Sequence, residues 1–277
     1  SFDVDQIAPS IAGSVSPDAD AVTGWWNLST GAPTASFTCG DMGSGLASCS
    51  TDQPFGEGAG QSATGTATDV AGNTASASVS NVNVDLTAPT SIAFTGGGVV
   101  DGASYVFGSV PAGPTGCAAA DPISGVASCL PGGYSVAVGS HTMTALATDA
   151  AGNSSSTTIT YTVLPWTLVG FSNPISMTSL NQVKAGSSAN LKFQVFAGAV
   201  ELTSVDVVSA FTQAQISCTT LAPIGPTTSA LDSRAASLKY ASQFQAKWDP
   251  PSTASTCWRV AIETVDGSSL SATFQLK

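Results

Sequence analysis

Apolar and polar side chains alternate with a period of two over short stretches, and no stretch carries helical spacing. In the first part of the chain this pattern predicts strands over Ala35–Cys39, Leu46–Ser50, Gln61–Thr68 and Thr74–Val84. Further strands are predicted over Ser91–Phe94, Ser104–Phe107, Tyr134–Val138, His141–Thr148 and Ser155–Val163. Later in the chain Leu191, Phe193 and Val195 alternate with polar neighbours, as do Val260 and Ile262, then Leu270, Ala272 and Phe274. Gly- and Pro-rich connections separate these runs. Short strands with turn signals between them predict small antiparallel sandwiches.

The pattern also repeats. Thr66-Ala67-Thr68-Asp69-Val70-Ala71-Gly72-Asn73 returns 80 residues later as Leu146-Ala147-Thr148-Asp149-Ala150-Ala151-Gly152-Asn153. Each copy reads as a strand running into a tight turn, where glycine accepts positive φ without steric cost. The same offset relates Asp5-Gln6-Ile7-Ala8-Pro9 to Asp85-Leu86-Thr87-Ala88-Pro89, and Asp41-Met42-Gly43-Ser44-Gly45 to Asp121-Pro122-Ile123-Ser124-Gly125. The chain therefore carries a tandem repeat.

Hydrophobic residues make up 43% of the 277 residues and charged residues only 9%, so cores can form and disorder is not expected. No apolar run reaches the ~20 residues of a membrane helix, and no membrane insertion is expected. Ser1 reads as an internal or processed start. All seven basic residues lie after residue 163; before it the formal charge is −12, after it +1, which together give the net −11. A segment without cations repels nucleic acid and anionic lipid, so neither is an expected partner. Its carboxylates need water, main-chain N–H groups or metal ions around them, or they serve solubility alone.

Six cysteines fall as Cys39/Cys49, Cys117/Cys129 and Cys218/Cys257, without a Cys-x-x-Cys motif. That distribution predicts one disulfide per domain in an oxidising compartment, and hence a secreted or cell-surface protein.

Asp-x-x-Ala-Pro, Asp-x-x-Ser-Gly and Ala-Thr-Asp-x-Ala-Gly-Asn, each present twice in the same order, resemble the immunoglobulin-like, hyalin-related repeats of large secreted bacterial proteins. The resemblance covers residues 1–163. It implies an immunoglobulin-like sandwich and a spacer or adhesive role rather than catalysis. Gly170-Phe171, Asn173-Pro174, Lys184-Ala185-Gly186 and Ala189-Asn190-Leu191-Lys192-Phe193 resemble a C-terminal module named for a Pro-x-Lys-Phe core, with Asn190 standing where the Pro would be. The expected architecture is all-β: tandem immunoglobulin-like β-sandwich domains, three modules in a row. Residues 1–7 would be the last strand of a preceding repeat or a donated strand, 8–87 repeat 1, 88–163 repeat 2, and 164–277 the C-terminal module.

In an immunoglobulin topology the B–C and F–G loops share a pole with the N-terminus. With Cys39 on strand B and Cys49 on strand C, Asp5, Asp41, Asp69 and Asn73 converge at one pole; Asp85, Asp121, Asp149 and Asn153 converge at the junction between the repeats. Crowded carboxylates without cations fit calcium, which takes 6–8 oxygens with tolerant geometry. The alternative is that each Asp caps its own turn.

Trp25-Trp26 reads either as packing or as a sugar-stacking platform. The lone histidine, His141, aligns with Gln61 of the first repeat, so its position does not require an imidazole. Asn27-Leu28-Ser29 and Asn153-Ser154-Ser155 fit the N-glycosylation triplet. The expected function is that of a non-enzymatic extracellular structural or adhesive protein, rod-like or filament-forming, with calcium as the candidate cofactor. Its expected partners are other copies of itself, joined head to tail by strand donation, or cell-surface proteins and glycans. The alternative is a carbohydrate-binding accessory region of a larger secreted enzyme.

Overall fold

A computed structural model describes residues 4–230 and 238–277. The first strands are β1 (Ser10–Ser16), β2 (Thr34–Gly40), β3 (Leu46–Cys49), β4 (Gln53–Pro54), β5 (Gly58–Asp69) and β6 (Thr74–Val84). They form two three-stranded sheets, β1-β2-β4 and β3-β5-β6. Along β5 and β6 the Ser and Thr hydroxyls face outward, and Ala63, Ala67, Val82 and Val84 face inward. Of these, Ala63, Val82 and Val84 meet Ala35, Phe37 and Phe55 in the core between the sheets, with Ile11, Val15, Trp26 and Val79 packed at its margin. Cys39–Cys49 bonds β2 to β3 across the sandwich. Closing so short a loop removes ~3 kcal/mol of unfolded-state entropy on the chain-entropy model.

The second repeat supplies β7 (Thr90–Thr95), β8 (Ala103–Val106), β9 (Gly116–Ala120), β10 (Val126–Gly132), β11 (Gly139–Asp149) and β12 (Ser154–Leu164). β7 pairs with β9, β10 with β11, and β8 runs parallel to the end of β12. Cys117–Cys129 joins β9 to β10. The 80-residue period holds in register: the Trp26–Val84 bridge of the first repeat reappears as Val106 opposite Leu164. The disulfide shifts by two residues, because Cys117 takes the place of Phe37. Gly65, which lies against the Phe37 ring, becomes the buried Ala145. Large against small in one repeat becomes medium against medium in the other.

The remaining strands are β13 (Thr167–Val169), β14 (Asn181–Val183), β15 (Ala189–Ala197), β16 (Val200–Leu202), β17 (Val208–Ile216), β18 (Pro223–Ser229), β19 (Leu238–Tyr240), β20 (Phe244–Trp248), β21 (Cys257–Thr264) and β22 (Ser269–Leu276). One sheet runs β13-β15-β20-β19 with β16 beside β15; the other runs β14-β22-β21-β17-β18. Leu191, Phe193, Phe244 and Trp248 of the first sheet pack on Phe211, Val260, Ile262 and Phe274 of the second. Phe193 stacks on Phe244 at 5.1 Å, and the buried Trp248 donates its indole N–H to Gln213 at 2.7 Å. Cys218–Cys257 closes the third disulfide. The chain is all-β, built of immunoglobulin-like sandwich modules.

By its contacts the chain forms two compact units. The first comprises Ser1–Gly98, Gly113–Gly133 and Met143–Ile159; the second comprises Val99–Ala112, Tyr134–Thr142 and Thr160–Lys277. The first unit holds repeat 1 and the pole of repeat 2 that carries Asp121 and Asp149.

One expectation needs correction. The stretch Tyr134–Val138 alternates in sequence but forms no strand. Its main chain is held by a side chain instead: Tyr161 Oη accepts the Ser135 N–H at 2.8 Å and donates to the Ser135 carbonyl at 2.6 Å. Residues 4–9 pair with no strand of this chain, and Phe2 and Asp3 of the expected terminal strand lie outside the described residues.

Candidate metal centre

Among the described residues, two groups of three aspartates form in the first unit. Asp5, Asp41 and Asp69 each offer a carboxylate oxygen within 4.8 Å of the other two, and Asp85, Asp121 and Asp149 do the same. The repeated motifs explain how. Asp69 and Asp149 end the long strand β5 or β11, and Asp41 and Asp121 follow β2 or β9. Asp5 and Asp85 lie just before the Ala-Pro step that leads into the next sandwich.

Main-chain N–H groups hold each carboxylate. Asp5 accepts from Ile7 at 3.0 Å and Ser44 at 2.6 Å; Asp85 accepts from Thr87 at 3.0 Å and Ser124 at 3.1 Å. Bonds from Ile7, then from Ser44, hold the Asp5 carboxyl below the usual carboxylate range. Asp41 Oδ2 caps its own loop through Gly43 and Gly45, and Asp121 Oδ1 caps its own through Ile123, Ser124 and Gly125. The serine of Asp-x-x-Ser-Gly ties two loops together, since Ser44 Oγ accepts the Ala71 N–H and Ser124 Oγ accepts the Ala151 N–H.

Asn73 and Asn153 act as braces. Asn153 Nδ2 donates to Asp149 Oδ2 and to the Asp85 carbonyl, both at 3.0 Å, while its Oδ1 accepts the Leu28 N–H at 2.8 Å. Asn73 Nδ2 likewise donates to Asp69 Oδ2 at 2.8 Å and to the Asp5 carbonyl at 3.2 Å. Each asparagine thus fastens the chain entering its sandwich to the hairpin tip. The oxygens gathered in each cluster come from the three aspartates.

Turn capping occupies only one oxygen of the Asp121 carboxylate. Asp121 Oδ1 takes three N–H groups, and Asp121 Oδ2 is buried with no hydrogen-bond partner. Asp85 and Asp149 beside it are buried at 0% and 2% exposure. At an effective dielectric of about 20, each pair of unit charges at such a separation repels by about 3 kcal/mol. A hard divalent cation fits an all-carboxylate donor set of this kind and relieves that repulsion.

The tryptophans lie beside the second cluster. Trp26 pairs with Val84, accepts the Asp85 N–H on its carbonyl at 2.8 Å, and donates its indole N–H to Pro17 at 2.7 Å. It is half-buried and packs at the margin of the first core. Trp25 is half-buried within the same loop. Its N–H reaches Thr23 Oγ1, and its carbonyl accepts the Asp20 N–H. His141 Nε2 lies 2.6 Å from the Ala137 carbonyl, and its ring packs 5.4 Å from Tyr161. Its counterpart Gln61 donates to the Gly56 and Gly58 carbonyls, so both side chains do the same work.

The loop between β1 and β2 is a component that the sequence pattern did not mark. Asp20 organises it by accepting the Val22 and Thr23 N–H groups. Asn27 Nδ2 and Thr23 Oγ1 then reach the Ala151 carbonyl at 2.7 and 3.3 Å, at the hairpin tip of repeat 2.

No family model matches the chain, and no curated relative does. Solved structures that align with it include a three-domain fragment of titin, at 12% identity and a TM-score of 0.29, covering 98% of this chain and 100% of the other. A Ca²⁺-stabilised adhesin with which an Antarctic bacterium binds ice aligns at 14% identity and a TM-score of 0.29, covering 98% and 74%. A protocadherin γB7 fragment aligns at 14% identity and a TM-score of 0.27, covering 97% and 77%. At TM-scores this low, nothing about this chain follows from them.

Proposed function

We propose that this chain is a non-enzymatic structural or adhesive protein of the cell exterior, and that calcium at its acidic clusters stiffens the joints between its repeats. The observation that carries the calcium reading is the buried, unpartnered Asp121 Oδ2 in a cluster with Asp85 and Asp149. Three carboxylates would supply part of the 6–8 oxygens that calcium takes, with water or main-chain carbonyls supplying the rest. Bound there, the ion would join the end of repeat 1 (Asp85) to two loops of repeat 2 (Asp121 and Asp149).

Three disulfides with no free cysteine support an oxidising, extracellular location. The structural role is supported by how the chemically versatile residues are used: His141 is spent on a carbonyl and an aromatic ring. In this reading the first two modules are hyalin-type repeats and the third is of the Pro-x-Lys-Phe type, with Lys192-Phe193 on β15. The modules form a rod-like spacer whose partners are other copies of the chain or glycans and proteins of the cell surface.

The test is thermal unfolding of the whole chain in calcium and in excess chelator. Calcium should raise the transition of the unit that carries both clusters. Superimposable curves would reject the metal.

A further inference from the structure

The two repeats present the same hairpin tip, and among the described residues only the tip of repeat 2 is covered. In repeat 2 the tip lies under the loop of repeat 1: Asn27 Nδ2 and Thr23 Oγ1 reach the Ala151 carbonyl, and Leu28 N–H reaches Asn153 Oδ1. A Cβ built on Gly152 would lie 3.5 Å from both Thr23 and Asn27. Ala151 is 0% exposed and Asn153 4%. In repeat 1 the counterpart Ala71 is exposed and Asn73 is half-buried. Among the described residues, no hydrogen bond reaches the Ala71 carbonyl or Asn73 Oδ1. Beside them lies an open cleft of about 500 Å³ lined by Val4, Asp5, Gly43, Ser44, Val70 and Ala71. Val70 is 67% exposed.

We infer that this pole of repeat 1 is a docking surface for the loop of another immunoglobulin-like repeat, one that presents a side-chain amide and the next main-chain N–H as Asn27-Leu28 does. The covered tip of repeat 2 shows the occupant's chemistry. The acceptors it uses, an alanine carbonyl and an asparagine Oδ1, recur unoccupied at Ala71 and Asn73. The brace that aims them is intact too, since Asn73 is fixed by Asp69 just as Asn153 is by Asp149. The inference rests on the tandem-repeat reading and is independent of calcium, because every contact in it is a hydrogen bond between protein groups.

The test lengthens the full chain by placing a second copy of residues 1–80 ahead of Ser1, which keeps the 80-residue register. Amide exchange at Leu28 is then followed in both copies, with calcium and with chelator. Docking predicts that the added Leu28 amide exchanges roughly tenfold more slowly than in the same chain carrying Asn73→Ala, the effect of one or two lost hydrogen bonds. The resident Leu28 amide, held by Asn153, gauges folding. Equal exchange with and without Asn73→Ala, while the resident amide stays protected, overturns the inference. Protection indifferent to chelator keeps it even where the calcium reading fails. Where the resident amide itself loses protection, a cyclic peptide of residues 20–31 is added at millimolar concentration to the native full chain. Slower exchange over Val70–Asn73, abolished by Asn27→Ala in the peptide, supports docking, and unchanged exchange overturns it.

Discussion

The side-chain carbonyl of Asn153 accepts the main-chain N–H of Leu28 at 2.8 Å, across 125 residues of sequence. The same side chain donates to Asp149 and to the Asp85 carbonyl while almost wholly buried. Asn153→Ala therefore strands several buried polar groups at once and should cost about 2–4 kcal/mol in denaturant unfolding. Asn73→Ala removes the equivalent brace at an open pole, where water replaces it, and should cost about 1 kcal/mol or less.

Asp121→Asn should act in opposite directions with and without metal. In chelator it removes one of three crowded charges and raises the melting temperature. In calcium it removes a ligand and abolishes the calcium-dependent shift. Asp18 belongs to neither cluster, so Asp18→Asn should leave that shift unchanged. Calorimetry of the three proteins in both buffers checks this.

The Gly65 Cα lies so close to the Phe37 ring that an added Cβ would overlap it. Overpacking of this kind should destabilise Gly65→Ala by about 1–3 kcal/mol. The double change Gly65→Ala with Phe37→Leu makes room for the methyl and should recover part of the loss. A recovery of zero would show that crowding against Phe37 does not set the cost.

Asp266 holds the chain entering the third sandwich, accepting the Trp166 N–H at 2.6 Å and bonds from Thr264 and Ser268. Burial alone would push its carboxyl up, but the hydrogen bonds from Thr264, Trp166 and Ser268 together outweigh it and hold the group below the usual range. A depressed folded pKa means that its stabilisation is complete above the unfolded value of about 3.9 and is lost as pH falls through the folded value. Asp266→Asn should cost about 1–2 kcal/mol at neutral pH and flatten the acid limb of the stability curve. Melting of both proteins between neutral pH and pH ~3 measures it.

Much of this was legible in the sequence because repetition doubles a weak signal. A lone Asp-x-x-Ser-Gly says little; the same motif 80 residues on, with its partners at the same offsets, placed six aspartates in two clusters. β6 runs over Thr74–Val84, as the alternation predicted. The loop from Asp20 to Thr30 was not legible, because its contacts join residues more than 120 positions apart through single carbonyls and amides, without periodicity. Tyr134–Val138 misled for the converse reason: alternation describes which side chains face inward, not where the main-chain hydrogen bonds go. There a tyrosine hydroxyl took them.

The burial of Asn27 and Asn153 bears on how the protein can be made. Both head an Asn-x-Ser triplet, and both spend their amide nitrogen on a carbonyl inside the fold. A eukaryotic secretory host that attached sugar to either amide would remove that donor and wedge a bulky branched group between loop and tip. Material from such a host should carry a broken latch, whereas material from a non-glycosylating periplasm should carry an intact one.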